Sequence, residues 1–533
     1  MSLKKKVFGL GLGMAGALTL FWCLRQGNEA EPPGTVEVPS ATASGASHRD
    51  AVRRLVVDEF PAGTMAGELV LFFDNSAARD AFLSRMKKQG GRILGVIPAL
   101  NAVRIATNVT LDFSAAASMP LCDFNFSVRV PPVASDEMSP EARENAGGGR
   151  VPVGGSALAQ MHASAESLGA SAAGNGVKVA LLDTGIYAAH MAFEGVKITQ
   201  IDVAGGAPDT AESLAHGTAV ASLIVGNGSG EVSGLASSAE LLAVRVFDGE
   251  GNATAFSLAQ GIVAAVDAGA NLINLSAGIT ADSAVLRAAV EYAREAGVTL
   301  IASAGNEGVR ALSFPAAYEG VIAVGAVDGA GTSAPFSNVG ENLSVVAPGV
   351  AVYAAGSNSA DSVVDFSGTS ASAPLVTGAL AAALSNAEGN FDVQKITETA
   401  DDFGLPGHDE EYGAGIVNYE RLTRPTGIGV SDVSVNDFYL RAGSGGNTGI
   451  CLGATLQNRG TLWENCTFSL TITFSDGTLR VASGALTLGP GESVGQSLSL
   501  TPAQLNDGVR ADAEIRDASG NVISGKSTFL KKR

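Results

Sequence analysis

Between residues 177 and 422 short apolar runs alternate with alanine-rich helical stretches, and nothing else narrows the folds open to this 533-residue chain so far. The runs at 177–182, 241–246, 272–275, 299–301 and 321–324 are near-continuously apolar, the pattern of strands covered on both faces. Between them, 257–268 sets Leu258, Ile262, Ala265 and Val266 on one helical side, and 283–296 does the same with Val285, Ala289 and Tyr292. Buried strands joined by helices predict a parallel α/β sheet.

The flanks read differently, as expected of a chain too long for one core. Residues 68–73 suggest a strand, 76–88 a helix with Ala77, Phe82, Leu83 and Met86 as its apolar positions, and 92–97 and 101–105 two more strands. A helical stretch at 110–118 and an alternating strand at 123–130 complete a βαββαβ order, the ferredoxin-like α+β arrangement, over 53–131. Residues 132–155 are polar and rich in Pro and Gly, including Gly147-Gly148-Gly149-Arg150, and form an exposed linker suited to proteolytic cutting. Beyond Pro425 short alternating strands with turns at Ser475-Asp476-Gly477, Gly489-Pro490-Gly491 and 517–520 predict a β-sandwich over 426–533.

At the N-terminus Lys4, Lys5 and Lys6 precede an apolar run from Val7 to Trp22, an export-signal pattern, so 1–26 is a signal peptide or an N-terminal membrane anchor. Leu20-Phe21-Trp22-Cys23 resembles a lipobox only loosely. Residues 27–52 read as a flexible spacer. A net charge of −19 repels phosphate backbones, which argues against a nucleic-acid partner for the chain as a whole. Of four cysteines only Cys451 and Cys466 look pairable, and the five scattered histidines give no zinc spacing.

Acyl transfer requires a Ser, a His that takes its proton and a carboxylate that orients the His. Asp183 closes the first apolar run and is followed by Thr184-Gly185, at the sheet edge where α/β sites form. Asp-Thr-Gly also marks aspartic proteases, but no second Asp-Thr-Gly or Asp-Ser-Gly is present. His216-Gly217-Thr218 opens a small-residue helix, a pattern that alone fits capping as well as catalysis. Ser370 lies in Gly368-Thr369-Ser370-Ala371-Ser372-Ala373-Pro374, ahead of an apolar helix expected over 374–384, with Pro374 in its first turn and Ser372 as a cap. The order Asp, His, Ser is that of subtilisin and differs from chymotrypsin and the α/β-hydrolases.

These three segments, with Ser303-Ala304-Gly305-Asn306-Glu307-Gly308, make the chain resemble the subtilisin-like serine proteases (subtilases, peptidase family S8) across about half its length. The resemblance implies a subtilisin-like catalytic domain over 156–425 with Asp183, His216 and Ser370 as triad and Asn306 as oxyanion donor. Ser276-Ala277-Gly278 after Leu275, and Gly251-Asn252-Ala253, resemble the two strands that bind extended peptide. Ala219 and Ala371 stand where relatives usually carry His and Met, and Leu375 replaces a frequent His, removing no catalytic group.

The expected function is an exported serine endopeptidase, secreted, periplasmic or cell-surface, acting on protein or peptide substrates and made as a self-processing zymogen. Its partners include its own inhibitory prodomain and, through the N-terminus, the membrane. The reaction requires no cofactor; structural calcium is common in the family, although no Asp-rich loop stands out. Glu307 would favour a basic or polar residue at the primary specificity pocket. The competing expectation is a catalytically inactive surface binding or scaffold protein that uses the C-terminal sandwich.

Overall fold

The computed structural model describes residues 60–107, 120–130, 153–164, 173–205, 210–229, 232–387, 391–424, 429–442 and 450–530. The expected signal or anchor, the spacer, the helix at 110–118 and nearly all of the linker lie outside these residues. The described residues divide into two compact units, 60–61 with 66–124 and 62–65 with those from 125 onward.

β1 (Thr64–Phe72), in the first unit from Ala66 onward, leads into α1 (Ser76–Lys88), then β2 (Ile93–Ile97) and β3 (Ala102–Ala106). Asn75 caps α1 by accepting the N–H of Ala78, and Phe82 and Met86 pack with Leu69, Leu71, Val103 and Ile105. β3 lies between β1 and β2, antiparallel to both. β4 (Leu121–Arg129) crosses the boundary, so that residues 125–129 belong to the second unit.

The second unit is built on seven parallel strands: β5 (Lys178–Asp183), β6 (Ile198–Asp202), β7 (Glu240–Arg245), β9 (Leu272–Leu275), β10 (Thr299–Ser303), β11 (Ile322–Val327) and β12 (Val345–Pro348). Between β7 and β9 the chain forms β8 (Asn252–Thr254), outside this sheet. The order is β12-β11-β10-β9-β5-β7-β6, with Leu181 opposite Ala243 on one side and Asn274 on the other. From β5 the chain crosses to the edge strand β6, returns through β7 and then builds β9 to β12 outward on the other side of β5, and such a reversal opens a crevice at the carboxyl ends of the strands beside it.

Alternation along β5 sends Val179 and Leu181 into a core with α2 (Ala215–Val225) and α5 (Thr369–Asn386). Leu182 instead meets Gly261 of α3 (Ala255–Asp267), which starts at a reciprocal cap between Thr254 and Ser257 and precedes α4 (Ala284–Glu295). α5 is buried from Thr369 through Ala383, so it carries no amphipathic stripe. It begins at Thr369, five residues before the start expected from Pro374. A short antiparallel pair, β13 (Val352–Ala355) with β14 (Val363–Phe366), precedes α5.

From residue 433 the strands are antiparallel. β15 (Val433–Ala442), β16 (Ile450–Asn458) and β19 (Ser493–Leu500) form one sheet, with β16 central. β17 (Glu464–Phe474), β18 (Leu479–Leu488), β20 (Val509–Arg516) and β21 (Val522–Leu530) form the other, ordered β18-β17-β20-β21. Leu452, Leu456, Phe468, Leu470, Ala511 and Ile515 share one core between them. Cys451 and Cys466, the two cysteines that look pairable in the sequence, fall on different sheets and both are free thiols: Cys466 is buried in the core and Cys451 lies by Ser499. Gln457 joins these strands to the preceding loop, accepting the N–H of Asp402 and donating to Ala400 O, while Arg459 reaches Asp401 at 3.3 Å.

Candidate active site

Three sheet strands deliver the site. Asp183 is the last residue of β5, residues 276–278 follow β9, and Asn306 follows β10, all at the carboxyl edge beside the reversal point.

His216 is the second residue of α2, and its Nδ1 lies 2.9 and 3.0 Å from the two carboxylate oxygens of Asp183. The small residues around both groups explain that closeness. A Cβ on Gly217 would lie 2.0 Å from Gly185 O, so only glycine lets the helix come this near the end of β5. The two threonines link the motifs in both directions: Gly217 N–H donates to Thr184 Oγ1, and Tyr187 N–H donates to Thr218 Oγ1. Phe366 covers the imidazole edge-on at 5.4 Å. The other ring nitrogen, Nε2, is buried and has no hydrogen-bond partner among the described residues.

Ser370 is the second residue of α5, where the helix N-terminus favours developing negative charge. Its hydroxyl donates to Ser276 O at 2.9 Å rather than to His216, and staggered side-chain rotation is the motion that redirects it. Pro374 lies inside the helix, not in its opening turn, and so withholds the i→i−4 donor from Ser370 O. Ser276 Oγ donates to that carbonyl instead, at 3.2 Å, and is itself oriented by Asn274 Nδ2, whose amide oxygen accepts from Thr377. Ser372, expected as a cap, donates to Ala347 O and Pro348 O and so ties α5 to β12.

Asn306 Oδ1 accepts the N–H of Thr369 at 2.8 Å and its hydroxyl at 2.9 Å. Two donors on the oxygen fix the amide's orientation and turn its N–H₂ end away from Thr369. Of the expected peptide-binding segments, 276–278 run from β9 toward an antiparallel bridge between Ile279 and Phe314. The other, Gly251-Asn252-Ala253, enters β8, where Asn252, Ala253 and Thr254 pair antiparallel with Arg129, Val128 and Ser127, and Val130 N–H donates to Gly251 O. Among the described residues no group of three or more His, Cys, Asp or Glu side chains is gathered as for a metal.

Thr184 and Thr218 were read in the sequence only as members of their motifs, and Asn274 and Thr377 were not singled out at all, because a hydroxyl or amide aimed at a neighbouring motif is distinguishable from any other only after folding.

A carboxylate-paired imidazole and a helix-borne serine at the carboxyl edge of a parallel sheet define a serine hydrolase. Residues 174–415 match the model of the subtilase family, Peptidase_S8. A thermostable alkaline protease of Halalkalibacterium halodurans is 39% identical over 261 residues, covering 47% of this chain and 68% of the relative. Subtilisin BL of Lederbergia lenta is 38% identical over 258 residues, covering 47% of this chain and 92% of that protein. Among solved structures, the protease domain of PatA aligns over 46% of this chain and 94% of its own, with 32% identity and a TM-score of 0.43. The chain belongs to the subtilase family and is a serine endopeptidase.

Proposed function

We propose that the enzyme cleaves peptide bonds through an acyl-enzyme on Ser370. His216 Nε2 takes the hydroxyl proton as Ser370 Oγ attacks the peptide carbonyl, and Asp183 holds the ring by Nδ1–H and stabilises the imidazolium. Asn306 Nδ2 and the Ser370 N–H receive the oxyanion; losing one such donor costs roughly 10² to 10³ in kcat where it has been measured in a subtilisin. His216 then protonates the leaving amine, and in the second half activates the water that hydrolyses the ester. No step calls on a cofactor. The observation that carries this reading is the asymmetry of His216, with Nδ1 bound to Asp183 and an Nε2 without a partner among the described residues.

Substrates bind extended between 276–278 and 251–253, by backbone pairing. The enzyme is exported through its first 26 residues, as a cleaved signal or a membrane anchor, and is made as a zymogen that processes itself. Supporting this, residues 127–129 already lie antiparallel on β8, as a peptide substrate would, and run on toward the linker. The ferredoxin-like 53–131 segment serves as inhibitory prodomain, and 426–533 as an accessory β-sandwich.

Expression of the full chain as wild type and as Ser370→Ala, with N-terminal sequencing, tests self-processing. A new N-terminus between 131 and 156 in the wild type alone is expected. An uncut wild type, or an equally cut variant, contradicts it.

A further inference from the structure

Besides Thr369, whose hydroxyl accepts the N–H of Gly305 at 3.3 Å, one side chain from outside the catalytic motifs holds the turn 304–309 that carries Asn306. Asn338 lies between β11 and β12 and is 1% exposed. Its Oδ1 accepts the N–H groups of Glu307 and Val309, each at 3.1 Å. Its Nδ2 donates to Ala304 O at 3.3 Å and to Glu307 Oε2 at 2.7 Å. Its own N–H donates to Gly305 O at 3.0 Å. A side-chain amide has two donors and an oxygen with two lone pairs, and here all of them are spent on one turn.

These bonds fall on both sides of Asn306, at Ala304 and Gly305 before it and at Glu307 and Val309 after it. The fit is close enough to dictate the neighbouring residue: a Cβ on Gly305, whose φ is 111°, would lie 2.2 Å from Asn338 Nδ2. Thr369 sets the amide of Asn306 and accepts one N–H of the turn, that of Gly305, whereas Asn338 holds the backbone at Ala304, Gly305, Glu307 and Val309.

We infer that Asn338 is a positioning residue for the oxyanion donor, an inference that rests on the reading of Asn306 given above. Such a donor lowers the barrier only if it is in place before charge develops on the substrate oxygen. Loosening the turn therefore weakens an interaction made in the transition state alone, which lowers kcat and leaves KM nearly unchanged.

A double-mutant cycle on the full chain tests this, using kcat and KM on a tetrapeptide p-nitroanilide. Asn306→Ala is expected to lower kcat roughly 10² to 10³-fold, and Asn338→Ala roughly ten-fold or more at constant KM. With Ala at 306, the second substitution is expected to change kcat by less than about two-fold, because the group it positions is gone. Equal losses in the two backgrounds, or a loss confined to KM, would overturn the inference. Wild-type kcat in Asn306→Ala would overturn it together with the reading of Asn306, while Ser370→Ala reports separately on the protease itself.

Should Asn338→Ala not fold, Asn338→Asp keeps the acceptor oxygen and sets a carboxylate against Glu307. Adding Glu307→Gln supplies the missing donor from the other side and is expected to recover most of the lost kcat. No recovery would count against the inference.

Discussion

The hydroxyl of Ser276 donates to the carbonyl of Ser370 at 3.2 Å, filling the place that Pro374 leaves empty in the helix. The segment expected to bind substrate thus also fixes the backbone of Ser370.

Ser276→Ala should leave the buried Ser370 carbonyl without that donor, at a cost of about 1–3 kcal/mol. With Pro374→Ala present as well, the restored backbone N–H supplies the bond, and the cost of Ser276→Ala should fall below about 1 kcal/mol. Urea unfolding of all four combinations, each carrying Ser370→Ala to prevent self-digestion, measures both values. Equal costs in the two backgrounds would show that the helix does not use the exchange.

Gly217→Ala places a methyl group against Gly185 O, where a Cβ would lie 2.0 Å away. Relief requires α2 to move back from the end of β5, carrying His216 from Asp183. A stability loss of about 1–3 kcal/mol is expected, along with a fall in kcat larger than any change in KM. Thermal unfolding and steady-state kinetics read the two effects separately.

The central sheet was legible because its strands are covered on both faces and spell out as unbroken apolar runs; the observed β5 and β9 match the expected runs to within a residue. α3 was legible from its periodicity, and the Thr254–Ser257 cap places its start two residues earlier than expected. α5 began elsewhere than expected because proline is usual in a first turn, and the reason it sits deeper, the Ser276 hydroxyl, is 98 residues away in sequence. Asn338 could not be found at all: an Asn in a Ser-Asn-Val-Gly stretch reads as an ordinary turn until the fold lays it against 304–309.

The four motif residues were legible through their order and their small neighbours. What the sequence could not supply is the distance between them, which Gly217, Thr184 and Thr218 set. Whether Cys451 and Cys466 pair was open in the sequence for a similar reason, since adjacent strands in sequence, β16 and β17, belong to different sheets.

Burial pushes the Asp402 carboxyl up from 3.8 to about 6, with the charge of Asp409 adding to it. A carboxyl held above its unfolded value binds its proton more tightly when folded, so its stabilising contribution is present below about pH 4 and is lost as the pH rises through 6. Asp402→Asn removes that loss. The variant should melt higher than the wild type at pH 8 and close to it at pH 4, again with Ser370→Ala in both proteins. A difference that is the same at both pH values would assign the effect to something other than this titration.

The central claim is that Ser370 is the nucleophile activated by His216 and Asp183. Reaction of the purified enzyme with a fluorophosphonate, followed by mass spectrometry of its peptides, tests it most directly. The account predicts one adduct per active molecule, on Ser370, absent from Ser370→Ala and strongly slowed in His216→Ala. An unlabelled active wild type, or an adduct on another serine, would contradict it.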